Sequence, residues 1–194
     1  MTKREQDIFG APCWVDLSTS DMERATAFYG ELFGWEATDT GEDYGHYTIM
    51  SKDGVLVAAL SPKLDPAQTG PDMWNMYFAV PDARETAGKV TGAGGNLFFE
   101  PVAISDAGSM TMFADPVGAA VGLWQPRTNR GFGLYQEVGA PCWFELLTRD
   151  LEGAVAFYRD VLGVAVAEMD TGPGGPTYRT LDVDGTAYAG IADI

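Results

Sequence analysis

The chain has 194 residues, 46% of them hydrophobic and 12% aromatic, so it can bury a substantial core in one or two domains. Twelve Lys and Arg stand against 28 Asp and Glu, a net charge of −16, which repels nucleic acid and anionic membrane surfaces and removes both as expected partners. Residues 1–7 carry no signal-like apolar run, no stretch nears the roughly 18 apolar residues of a membrane span, and two cysteines are too few for a secreted disulfide scaffold, so a cytoplasmic protein is expected.

In chain order, residues 13–19 alternate and are rich in strand formers. Ser20 or Asp21 then caps a helix, with Glu23 placed for a capping box from Ser20. Met22, Ala25, Phe28, Tyr29, Leu32 and Phe33 recur at helical spacing as one apolar face, and Gly34 sits where a left-handed cap is expected. Strands are predicted at 35–39, 47–51 and 55–60, the last two joined by the hairpin signal Asp53-Gly54. This first module, 8–62, reads β-α-β-β-β. A linker rich in Pro and Asp follows at 62–71. The second module, 72–126, has a strand at 74–80, a short helix over 82–90 broken by 92–95, and strands at 96–104, 109–114 and 119–125. Residues 126–133, rich in Gly and Arg, read as a second linker. The third module, 137–194, has a strand at 142–148, a helix from 150 to about 162, and strands at 164–169, 178–183 and 186–192, with Asp184-Gly185 at the same hairpin.

The modules are copies. Gly10-Ala11-Pro12-Cys13-Trp14 recurs 129 residues later as Gly139-Ala140-Pro141-Cys142-Trp143, and 14 of 25 positions are identical between 10–34 and 139–163. Each copy must be one supersecondary unit. The fold class is therefore α+β, from tandem βαβββ modules.

A strand, an Asp, Phe-Tyr seven residues later and a Gly ending the helix resemble the module signature of the vicinal oxygen chelate superfamily, which includes glyoxalase I, bleomycin-resistance proteins and extradiol dioxygenases. Asp115-Pro116-x-Gly118 before Leu123-Trp124-Gln125 resembles its other hallmark turn. The strings Pro12-Cys13-Trp14-Val15-Asp16-Leu17 and Asp106-Ala107-Gly108-x-Met110 look like a two-lobed, glyoxalase-like branch. The resemblance implies that modules one and two pair into a cup-shaped mixed sheet with helices outside, holding a small-molecule ligand. It also implies four modules for two lobes. A third module without a fourth predicts a homodimer through module three, a truncated chain, or docking of module three on its own chain.

The resemblance further implies a divalent metal held by the first strand of each module and the end of the fourth. Those positions fall on Trp14, Asn75 and Gly122, and on Trp143 in module three. Tryptophan and glycine side chains do not ligate, and a lone Asn amide is a poor ligand for a transition metal. No cofactor is expected. His46 is the only histidine, so a triad of two His and one carboxylate cannot form within the chain. It could act as acid or base, or sit at a strand edge beside Asp43 and Tyr44. Cys13 and Cys142 hold equivalent positions, expected as small buried side chains without a disulfide between them.

Asp16 and Glu145 lie two residues beyond Trp14 and Trp143, on the same strand faces. As catalytic candidates, each would orient a ligand or abstract a proton; otherwise each is a solvated or Arg-paired carboxylate. Trp14, Asp16, Asn75, Tyr77, Gly122, Trp124 and Trp143 are the candidate ligand contacts, an aromatic wall suited to planar or cationic ligands or simply the packing of a half-barrel. Three roles remain open: a metal-free binder of a hydrophobic or aromatic metabolite, an enzyme (lyase, isomerase or oxygenase) with a carboxylate base at an atypical site, and a scaffold.

Overall fold

The alternating run at the head of the chain forms β1 (Pro12–Thr19), and α1 (Met22–Phe33) follows after a two-residue turn. The computed structural model describes residues 6–63 and 70–194, so the expected linker at 62–71 lies mostly outside the described residues. Asp21 caps α1, its carboxylate accepting from the Arg24 backbone N–H at 2.9 Å. Ser20 does not, because its hydroxyl and its backbone N–H both donate to Asp72. Gly34 ends the helix at a φ of 71°, a conformation that favours glycine. The module continues through β2 (Glu36–Asp39), a 3-10 turn at Glu42–Tyr44, β3 (Thr48–Lys52) and β4 (Val55–Pro62). β2 and β3 are antiparallel, as are β3 and β4, while β4 runs parallel to β1. The order is β2-β3-β4-β1.

Module two repeats the pattern with β5 (Met73–Ala79), α2 (Ala83–Gly92), β6 (Asn96–Leu97), β7 (Val102–Ile104), β8 (Gly108–Ala114) and β9 (Ala120–Pro126). β5 and β9 are parallel, β9 and β8 antiparallel, and both β6 and β7 pair with β8. The single strand expected at 96–104 is two short ones. Pro101 has no N–H to give the ladder, and it falls in the gap. Module three follows with β10 (Glu145–Thr148), α3 (Leu151–Leu162), β11 (Ala165–Met169), β12 (Tyr178–Val183) and β13 (Thr186–Asp193), in the order β11-β12-β13-β10 with β10 parallel to β13. β10 starts at Glu145, later than expected. Cys142 therefore precedes the ladder that would bury it and is exposed, whereas Cys13 is buried within β1. Among the described residues no helix is long and apolar enough to cross a membrane.

The described residues form two compact units, one of residues 14–76 with 131–142, the other of 6–13, 77–130 and 143–194. Within the second unit, α3 lies against module two. Phe157 and Tyr158 meet Phe113 and Phe78 at centroid distances of 5.9 Å each. The Tyr158 hydroxyl donates to Asp115 at 2.8 Å. The other oxygen of Asp115 accepts the Val117 and Ala119 backbone N–H groups at 3.0 and 2.8 Å. That is why the turn reads Asp-Pro-x-Gly: the Asp holds the turn closed, and Gly118 takes a φ of 95°.

The repeat predicts that α1 buries the face that α3 buries. Among the described residues it does not. Phe157 is 3% exposed, while its counterpart Phe28 is 56% exposed and Leu32 57%. Sequence sets the amphipathic pattern, but burial also needs a partner surface: Phe157 has one in Phe113, whereas on α1 Tyr29 is covered in part by Trp35 and Trp74 and Phe28 stays exposed. Phe157→Ala should then cost about 3–5 kcal/mol, as for a core aromatic, and Phe28→Ala only about 0.5 kcal/mol, as for a surface site. Urea unfolding of the two variants measures the difference; equal losses would contradict it.

Candidate functional site

Alternation along β1 places Trp14 and Asp16 on one face, and both are buried, Asp16 at 6% exposure. A carboxylate at that depth needs donors. The Tyr47 hydroxyl, delivered by the residue before β3, donates to Asp16 Oδ2 at 3.2 Å. The Asn75 amide, from β5, donates to Asp16 Oδ1 at 2.9 Å. The Trp14 indole N–H donates in turn to the Tyr47 hydroxyl at 2.8 Å. The hydrogen bonds thus run Trp14 → Tyr47 → Asp16 ← Asn75. Behind Trp14 stands Phe132, 6.2 Å away between ring centroids, itself stacked on Tyr135 at 5.7 Å. Both rings are buried. They come from a stretch that begins as the expected Gly- and Arg-rich linker; the Gly133 backbone N–H donates to Leu56 at 2.8 Å, and a side chain at Gly133 would collide with Val55.

The same chain of bonds recurs in module three. The Trp143 indole N–H donates to the Tyr178 hydroxyl at 2.8 Å, and Tyr178 donates to Glu145 Oε1 at 2.6 Å. Glu145 is exposed, whereas Asp16 is not. Gly190 is the register partner of Glu145, and a Cβ there would collide with the Tyr178 hydroxyl.

The three candidates of module two form their own group. Tyr77 and Gly122 are register partners on β5 and β9. The buried Tyr77 ring lies where a Cβ of residue 122 would stand, so the space over the glycine is filled by the tyrosine. The Trp124 ring likewise covers Gly108, and its indole N–H donates to the Asn129 carbonyl at 2.8 Å. Trp14, Asp16 and Asn75 are thus brought together, as are Trp143 and Glu145, while Tyr77 lies over Gly122 and Trp124 over Gly108.

These residues do not fit a divalent ion. Trp14 and Trp143 present only an N–H donor, already committed to a tyrosine. The Asn75 amide nitrogen is committed to Asp16, which leaves one neutral amide oxygen, a poor ligand for a transition metal when it stands alone, and no side chain can stand at Gly122. Among the described residues no group of three or more His, Cys, Asp or Glu could hold a metal ion. His46 lies outside a strand, exposed, with a φ of 57°, and pairs with Asp39 at 2.9 Å; that hydrogen bond raises its pKa.

Tyr47 and Tyr178 carry the candidate sites, yet the sequence does not single them out, since an aromatic residue at a strand is ordinary. Their signal lies in the repeat: each stands a near-constant distance after its Trp, 33 and 35 residues. Burial, then the Asp16 charge, push the Tyr47 phenol well above its usual range. Its stabilising contribution is complete below the unfolded tyrosine pKa of about 10 and fades as pH rises beyond that. Denaturant midpoints at about pH 9 and about pH 11 should therefore differ less in Tyr47→Phe than in the parent chain; an unchanged difference would show that the phenol is not held protonated.

Comparison with known proteins gives the following. The family model described as Glyoxalase/Bleomycin resistance protein/Dioxygenase superfamily matches residues 13–123, and one described as Bleomycin resistance protein-like N-terminal matches 142–173. A Mycobacterium tuberculosis protein named "Putative glyoxylase CFP32" is 39% identical over 196 residues, covering all of this chain and 75% of its own length. "Anthracycline biosynthesis protein DauV" of a Streptomyces species is 37% identical, covering 95% of this chain and 71% of its own. Among solved structures, the Mn(II)-bound glyoxalase of Novosphingobium aromaticivorans superposes with a TM-score of 0.66 at 19% identity, over 97% of this chain and 63% of that one. The catechol dioxygenase BphC gives 0.64 at 16%, over 96% and 65%. The chain thus spans less than two thirds of these two structures, and the likeness to them is one of fold.

Proposed function

We propose that this chain, which belongs to the glyoxalase/bleomycin resistance protein/dioxygenase superfamily, binds a small hydrophobic or aromatic metabolite without the divalent metal used by catalytic relatives. One observation carries the proposal: where the family's ligands would be, Trp14 and Asn75 spend their N–H donors on Tyr47 and Asp16, and the only acceptor left on these two side chains is one neutral amide oxygen. A donor-only indole cannot be a Lewis base, but its face suits a planar ligand. The relatives named for anthracycline biosynthesis support a polycyclic aromatic ligand. Asp16 would hold Asn75 and Tyr47 in place, so that a ligand donor meets the Asn75 carbonyl.

Two measurements test this. Protein purified without chelator should contain no stoichiometric transition metal, and about one ion per chain, lost in Asn75→Ala, would overturn the metal-free reading. The Asp16→Asn variant, which loses the charge that orients the Asn75 amide, should bind the aromatic probe 2-naphthol about tenfold or more weakly in module one, while keeping the parent's circular dichroism. Unchanged affinity would take Asp16 out of the site.

A further inference from the structure

We infer that the chain holds two ligand sites, one in module one and one in module three, and that both select ligands presenting a hydrogen-bond donor. The inference rests on the aromatic-binding reading above and adds the polarity and the number of the sites.

Polarity follows from hydrogen-bond direction. An indole N–H only donates. Because Trp14 donates to the Tyr47 oxygen, the single tyrosine proton is directed onward to Asp16. Asp16 accepts on its other oxygen from Asn75 Nδ2, which orients that amide with its Nδ2 inward. The Asn75 carbonyl oxygen has no partner among the described residues, and Asn75 is only half buried. A ligand approaching this end of the chain of bonds therefore meets an acceptor.

Module three reaches the same polarity without the amide. Trp143 donates to Tyr178, Tyr178 donates to Glu145 Oε1, and Oε2 of that exposed carboxylate has no partner among the described residues. Gly190 leaves room for the tyrosine hydroxyl to reach over its strand, which a side chain would prevent. Two copies of one bond sequence, each ending in an outward acceptor, define two sites of one chemistry. An uncharged or cationic aromatic bearing an O–H or N–H satisfies both. A carboxylate faces acceptors at either site and a protein of net charge −16.

Quenching of tryptophan fluorescence by 2-naphthol and by 2-methoxynaphthalene tests the inference, since the two share a ring system and only the first has a donor. The expected result is two naphthol molecules per chain, each bound about tenfold more tightly than the methoxy compound. Glu145→Gln turns an amide N–H outward and should abolish the module-three site alone. Asn75→Leu should abolish the module-one site alone, and the surviving site in each variant reports that the protein is folded. Equal affinities for the two probes would overturn donor selection and leave aromatic binding standing. A single site unchanged by Glu145→Gln would overturn the second site. If neither probe binds, the aromatic reading falls as well.

Discussion

A buried carboxylate on a first strand constrains much of what surrounds it. At 6% exposure Asp16 has lost most of its water, and a charge in that position is tolerated only with protein donors in its place. Those donors come from three elements: the start of β3 through Tyr47, the head of β5 through Asn75, and β1 itself through Trp14 acting on Tyr47. The parallel pairing of β1 with β4 and the antiparallel return through β3 bring Tyr47 back to the Asp16 face. The backbone order β2-β3-β4-β1 is thus what makes the polar chain possible, and the polar chain fixes which way each group points.

Much of the fold could be read because its determinants are local. Asp53-Gly54 and Asp184-Gly185 both take positive φ at the hairpins they mark, and Gly34 and Gly163 both close their helices in the left-handed region. The helix caps at Asp21, Asp82 and Asp150 are equally local, each accepting a backbone N–H three residues on. What escaped the sequence is long-range. Tyr47 finds Asp16 across 31 residues and Tyr178 finds Glu145 across 33. Phe132 and Tyr135 were hidden because Gly and Arg around them suggest a linker, although those rings are buried against module one.

The two copies also show how identical strings acquire different environments. Ala27-Phe28-Tyr29 and Ala156-Phe157-Tyr158 occupy the same place on their helices, yet Phe157 and Tyr158 are buried while Phe28 is exposed and Tyr29 only half-buried. What covers it belongs to module two: Phe113 and Phe78 for the rings, and Asp115 for the tyrosine hydroxyl. Asp115 serves its own turn and a neighbouring module at once. Its turn could be read locally, whereas its bond to Tyr158 depends on packing between modules, which no short motif encodes.

The difference between Asp16 and Glu145 follows the same logic. Glutamate is one methylene longer, and in module three it meets its tyrosine at 2.6 Å, against 3.2 Å for Asp16 and Tyr47. Exposed to water, Glu145 needs no second protein donor. Asp16 does need one and receives it from Asn75, where catalytic relatives are expected to place a metal ligand. An amide that donates its nitrogen inward to a buried carboxylate presents only a neutral oxygen on its other side, a poor ligand for a transition metal when it stands alone. The departure at Asn75 and the burial of Asp16 are therefore one feature: burying the acid on β1 commits the side chain on β5 to satisfying it.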